Sequence, residues 1–208
     1  NNSNCTFDSS QTTFPKLLKA AGYQTAMIGK WHLVSDPTGF DHWHILPGQG
    51  IYYNPPMKTA KGIVKTSGYV TDITTDVSME WVKGRDKSKP FMLMCQHKAP
   101  HREWAPNIKD LGFDKDRVYP EPETLFDDYA DRARAVAEND MTLEKTIVPL
   151  DVKLVRPPNL DAEQAAVLVD DMTDQGRVLD DAAAGHGELL LRLEGEGVAL
   201  DEAAHERG

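Results

Sequence analysis

No aromatic residue follows Tyr129, and no tryptophan or cysteine follows Trp104. Aromatic rings supply the largest buried areas per side chain, so the stretch from residue 131 onward has little with which to build a core. The chain also lacks a run of 18 apolar residues, which excludes a transmembrane helix. It shows no basic-then-apolar leader, although on a truncated amino terminus that absence carries no information about secretion. Only two cysteines, Cys5 and Cys95, are present. They are as compatible with a pair as with one exposed and one buried thiol, so the redox compartment stays open. A pI near 5.1 without a basic stripe argues against a nucleic-acid partner. Gly-x-Gly-x-x-Gly, Walker, Gly-x-Ser-x-Gly and His-Glu-x-x-His motifs are all missing, which removes the common nucleotide, serine-hydrolase and zinc-protease sites.

What is present divides unevenly. The formal charge is −10 over 208 residues, yet residues 1–130 hold 15 basic and 15 acidic side chains, against 8 and 18 in residues 131–208. All of the excess negative charge lies in an aromatic-free tail. Length and 40% hydrophobic content suit one domain of ordinary size, or a smaller one followed by that tail.

Residues 1–13 read as a polar loop. Phe14-Pro15 opens a short amphipathic helix through Leu17, Leu18 and Ala21, with Gly22 as its stop. Tyr23–Ile28 reads as a buried strand ended by Gly29. Residues 35–56, rich in Gly, Pro and aromatics (Phe40, Trp43, Tyr52, Tyr53), read as a long structured loop. Ile73, Val77 and Trp81 predict a helix over Thr71–Lys83, and Phe91–Cys95, bounded by turn signals, predicts a central parallel strand. Repeated helix-then-strand units make the fold class α/β. Further on, Asp127–Asp140 suggests an exposed helix, and Ala162, Ala165, Ala166, Val169 and Met172 keep helical spacing.

Two segments concentrate cationic and imidazole chemistry just past a strand: Gly29-Lys30-Trp31-His32 and His97-Lys98-Ala99-Pro100-His101-Arg102. In open α/β sheets the ligand crevice lies at the carboxyl ends of the strands, so both can face one anion. Lysine supplies a fixed positive charge and histidine a proton near neutral pH. The bland alternative has Lys30 solvated and His32 packed beside Trp31. In the second segment, His101 suits a general acid and Arg102 a planar anion clamp, although three of its four polar side chains are equally readable as surface residues. His97 and His101 at i, i+4 would need a helix to share a metal, and Pro100 opposes one, so no metal ligand is assigned. His42-x-His44 reads as structural or substrate-facing. These features point to a hydrolase of anionic esters.

Thr13-Phe14-Pro15-Lys16-Leu17-Leu18, Ala21-Gly22-Tyr23-Gln24-Thr25-Ala26 and Gly29-Lys30-Trp31-His32-Leu33 closely resemble the arylsulfatase-like sulfatases of the alkaline-phosphatase superfamily. Residues 36–56 and 97–102 are similar to the bacterial branch acting on sulfated glycans. The resemblance covers residues 7–147, a fragment of the catalytic domain, followed by a divergent acidic tail at 148–208. It implies a partial, mainly parallel sheet flanked by helices, and a sulfuric ester hydrolase whose partner is a sulfated carbohydrate. Lys30 would hold a sulfate oxygen, His32 would hydrogen-bond a formylglycine hydroxyl and His101 would protonate the departing sugar oxygen, with Lys98 and Arg102 as nearby substrate contacts. A periplasmic or secreted location is implied if a signal peptide precedes the fragment.

The same resemblance implies Ca²⁺ and formylglycine in the full-length enzyme, yet their residues are not identifiable in this sequence. Neither cysteine stands in a Cys/Ser-x-Pro/Ala-x-Arg motif, and the aspartates that open the calcium site belong upstream of residue 1. The chain by itself is therefore expected to be inactive. Asp174-Gln175-Gly176 superficially fits the family's calcium loop, but its surroundings favour helix. Two rival readings use the same cations: a non-catalytic module binding sulfated glycans, and a phosphodiester or phosphonate hydrolase of the same superfamily.

Overall fold

The computed structural model of the chain describes residues 6–152 and 155–174. These form two compact units, one comprising residues up to Asn107 with Pro157–Ala165, the other Ile108–Arg156 and residues from Ala166 onward.

In the first unit, α1 (Phe14–Ala20) starts with Pro15 in its first turn, where a missing N–H costs nothing. Gly22, at φ +88°, lets the chain reverse into β1 (Gln24–Trp31). Thr25 to Gly29 are all buried, as expected for a strand covered on both faces. β2 (His42–Pro47) and β5 (Phe91–Gln96) flank β1, both parallel to it. The hairpin β3 (Pro56–Thr59) and β4 (Gly62–Lys65) extends the sheet antiparallel beyond β2, giving the order β4-β3-β2-β1-β5. α2 (Val70–Gly84) lays Val70, Thr74 and Ser78 inward at i, i+4, i+8. Ala26, Met27 and Ile28 of β1, Ile45 and Leu46 of β2, Met57 and Val70 make the core, each at most 2% exposed.

Several expectations change. Gly29 does not end β1. At φ +103° a Cβ there would lie 2.0 Å from the Gln96 carbonyl oxygen, so glycine permits a close approach to β5 and the strand continues through Trp31. Residues 42–47, expected within the long loop, pair along β1 instead, because Ile45 and Leu46 find the core. β5 is parallel as expected, but among the described residues it pairs with β1 alone and sits at the sheet edge, with Phe91 and Cys95 exposed.

In the second unit, only Arg134–Ala137 (α3) of the Asp127–Asp140 stretch is helical, and it has no buried face to extend it. α4 (Leu143–Thr146) is another single turn. α5 (Ala162–Asp174) contains Ala162, Ala165, Ala166, Val169 and Met172 and bears out their helical spacing. Asp174 is its last residue, and Gln175-Gly176 lies outside the described residues, as does Cys5.

Candidate active site

Parallel pairing places the carboxyl ends of β1, β2 and β5 at one end of the sheet, with Lys30 beside Leu46 and Gly29 beside Gln96. The Lys30 ammonium donates to Gln49 Oε1 at 2.8 Å. Gln49 stands in the turn after β2, where Gly48 N donates to Trp31 O at 3.0 Å. Lys98, two residues past β5, reaches the same turn, donating from Nζ to the Gln49 carbonyl at 3.3 Å. Two cations from strand ends 68 positions apart thus converge on one residue.

Lys98 is only 3% exposed. Its ammonium lies 4.6 Å from the centroid of the Tyr52 ring, a cation–π contact that partly replaces lost water. Burial pushes its pKa below the ordinary lysine value; Glu103 opposes the shift and the charge of Lys30 adds to it. Burial likewise lowers Lys30. Desolvation disfavours the charged form of both groups, a cost that a bound anion would offset.

His101 ends the turn that begins at Lys98, its N–H donating to Lys98 O at 3.0 Å. The ring Nδ1 lies 3.2 Å from the Arg102 carbonyl, which can only accept, so this contact requires the proton on Nδ1. Nε2 is then the atom left to accept a proton, or to donate one from the imidazolium. His32 follows β1 directly and is half-buried, as is Arg102; neither is without a partner in the protein.

A set of tyrosines fixes this segment, and only two of them stand out in the sequence. Tyr52 donates to His101 O at 2.7 Å, Tyr69 to Ala105 O at 2.8 Å and Tyr53 to Pro106 O. Tyr69 stacks on Tyr52 at 5.8 Å and meets Tyr53 edge-on at 5.3 Å. Between the anchored carbonyls, Glu103 and Trp104 adopt φ of +78° and +37°, left-handed conformations that cost non-glycine residues energy. Asn54, Gly68 and the Tyr53–Tyr69 bridge hold the tyrosines together.

Other candidates lie apart from this cluster. His97 is exposed, its Nε2 3.8 Å from Cys95 Sγ, and Cys95 is a free thiol that also receives a bond from Ser78 Oγ at 3.3 Å. His42 and His44 line a cavity of about 510 Å³ with Gln24, Glu80, Trp81 and Arg85, near the opposite ends of β1 and β2. Lys30 lies six positions after Gln24, about 20 Å along a strand. Of the aromatic loop, Pro47–Tyr52 borders the lysines whereas His42 and His44 do not.

Among the described residues no three His, Cys, Asp or Glu side chains are grouped to hold a metal ion. The ammonium groups of Lys30 and Lys98 would repel one. The described residues therefore do not fit Ca²⁺, and Cys95, exposed between Ser78 and His97 and followed by Gln-His-Lys-Ala, does not fit the precursor of formylglycine.

The model of one family, Sulfatase, matches residues 6–154. This chain belongs to the sulfatase family. The sulfatase segment is 52% identical over 155 residues to the N-acetylglucosamine-6-O-sulfatase of Bacteroides thetaiotaomicron, covering 72% of this chain and 28% of that protein. It is 30% identical over 110 residues to the N-acetylglucosamine-6-sulfatase of Bos taurus, covering 45% of this chain and 20% of that protein. The chain thus spans less than a third of the length of either relative. Among solved structures it is similar to BT4656 in complex with its substrate D-glucosamine-2-N,6-O-disulfate, with a TM-score of 0.69 and 39% identity over 99% of this chain and 41% of that one. Ps i-CgsB in complex with k-i-k-neocarrahexaose, at a TM-score of 0.50 and 20% identity over 84% of this chain and 39% of that one, shares the fold. The sulfatase assignment and the helix-flanked α/β fold expected from the sequence are both borne out; the sheet, expected to be mainly parallel, is mixed, with the β2–β3 and β3–β4 pairings antiparallel.

Proposed function

We propose that this chain supplies the sulfate-holding and proton-donating part of a hydrolase of carbohydrate sulfate esters, with 6-sulfated glucosamine as the substrate class. The observation that carries it is the convergence of Lys30 and Lys98 on Gln49 beside the turn that bears His101. Names of two relatives and of one similar structure supply the sugar.

In this reading Lys30 holds a sulfate oxygen and Lys98, buried against the Tyr52 ring, raises the local positive potential. Arg102 lies next to His101 and offers a planar fork for a second anionic oxygen. His32 completes the strand-end set. His101, with Nδ1–H fixed by the Arg102 carbonyl, protonates the departing sugar oxygen from Nε2–H. In the family, calcium and formylglycine supply charge neutralisation and the nucleophile; neither fits the described residues, and no step here runs through them.

A hybrid enzyme tests this, with residues 6–154 replacing the matching segment of the Bacteroides relative. Turnover of N-acetylglucosamine 6-sulfate, lost with Lys30→Ala, is expected. Binding of the sulfated sugar without turnover would favour a glycan-binding module, and preference for the 6-phosphate a phosphoester hydrolase.

A further inference from the structure

We propose that the Gln49 side chain is an internal competitor for the anion: its amide oxygen occupies Lys30 in the ligand-free protein and leaves when a sulfate oxygen arrives. The proposal rests on the sulfate-binding reading of Lys30 and goes beyond it by assigning a residue that sets affinity. An ammonium only donates, so the end of the amide facing Lys30 must be the oxygen. That oxygen therefore sits within bonding distance of Lys30, with Gln49 exposed and Lys30 half-buried.

The main chain under Gln49 is pinned, which confines the movement to the side chain. Gly48 N is bonded to Trp31 O at 3.0 Å, and the Gln49 carbonyl receives Lys98. Gly50, at φ +66°, packs so closely that a Cβ would lie 2.3 Å from Leu46 Cδ2. The side chain is fastened only as strongly as one amide-to-ammonium bond allows. A sulfate oxygen carries formal charge and makes the stronger, charge-assisted bond to the same donor. Ligand-free, the amide limits the cost of a half-buried, unpaired ammonium; on binding, it rotates into water and that lost bond is subtracted from the affinity.

Sodium sulfate titrations of the full 208-residue chain test the proposal, with ionic strength held by sodium chloride and the ε-methylenes of both Lys30 and Lys98, which reaches the same residue, followed by NMR in ¹³C-lysine-labelled protein. Gln49→Ala should tighten sulfate binding roughly three- to tenfold, the worth of one released hydrogen bond. Gln49→Met, which keeps the bulk but has no amide oxygen, should tighten it likewise. Gln49→Glu, whose carboxylate stays on Lys30, should weaken it more than about tenfold. A merely structural role would lower affinity on truncation, so unchanged or weaker binding in both Gln49→Ala and Gln49→Met overturns the proposal. Lys30→Ala must abolish the sulfate response that the wild-type chain shows at Lys98. If sulfate gives no response, or one indifferent to Lys30, the sulfate reading of the site fails and Gln49 has nothing to compete with. A Lys30-dependent response indifferent to Gln49 rejects the competitor alone.

Discussion

The hydroxyl of Tyr52 donates to the main-chain carbonyl of His101 at 2.7 Å, across 49 residues of sequence, while its ring faces the ammonium of Lys98. One side chain therefore sets the positions of a candidate acid and a candidate cation together. At 2% exposure it has no route to water as an alternative partner.

Burial, then Tyr69 and Glu103, raise the Tyr52 phenol to about 12. A folded-state pKa above the unfolded value near 10 means the folded chain holds the proton longer. The associated stability is complete below pH 10 and is lost as pH climbs towards 12. A shift of that size corresponds to about 2–3 kcal/mol. Urea unfolding from pH 9 to 12 should show this loss in the wild type, and Tyr52→Phe should flatten that part of the profile.

Lys98 has the opposite sign. Its pKa is lowered chiefly by burial, so the folded state gives up the proton first. The penalty is fully present below the lowered pKa and is relieved as pH rises from there to the unfolded value near 10.5. Lys98→Met removes a buried charge and should stabilise the chain at pH 7 by about 1 kcal/mol or more while weakening sulfate binding. Thermal melts and sulfate titration of the same variant check both halves.

Glycine is required at Gly29 and only convenient at Gly48. Gly29→Ala drives a methyl into the Gln96 carbonyl at φ +103° and should cost about 3 kcal/mol or more, breaking the β1–β5 pairing. At Gly48 a Cβ meets nothing within 4 Å, so Gly48→Ala should cost only the left-handed penalty of about 1–2 kcal/mol. Denaturant midpoints of the two variants should rank accordingly.

In the hybrid enzyme, His101→Ala should slow turnover of a sulfated sugar by roughly 10²–10⁴-fold. A nitrophenyl sulfate, whose leaving oxygen needs little protonation, should be affected much less. Equal losses on both would show that His101 positions the sulfate instead.

The cationic segments were legible because each directly follows an apolar run, and an apolar run bounded by turn residues is a local signal. α2 was legible from Ile73, Val77 and Trp81 recurring every fourth position, although the residues it buries most are Val70, Thr74 and Ser78. β2 was not: His42-Trp43-His44-Ile45-Leu46-Pro47 has only two adjacent core residues and lies among glycines and prolines, so its identity came from pairing with β1. The Asp127–Asp140 stretch erred in the other direction, since helical propensity without a face to bury sustains only the single turn Arg134–Ala137.

The sequence by itself determined the family, through Gly29-Lys30-Trp31-His32 and its neighbours, and the presence of a cationic segment near the carboxyl end of each of two strands. These are properties of consecutive residues, carried by local backbone preference and residue chemistry. Only the tertiary structure decided that Lys30 and Lys98 share Gln49, and that Tyr52, Tyr53 and Tyr69 hold carbonyls 36 to 53 residues away. Such contacts depend on which strands lie side by side and on their register, and no spacing within a single segment encodes either.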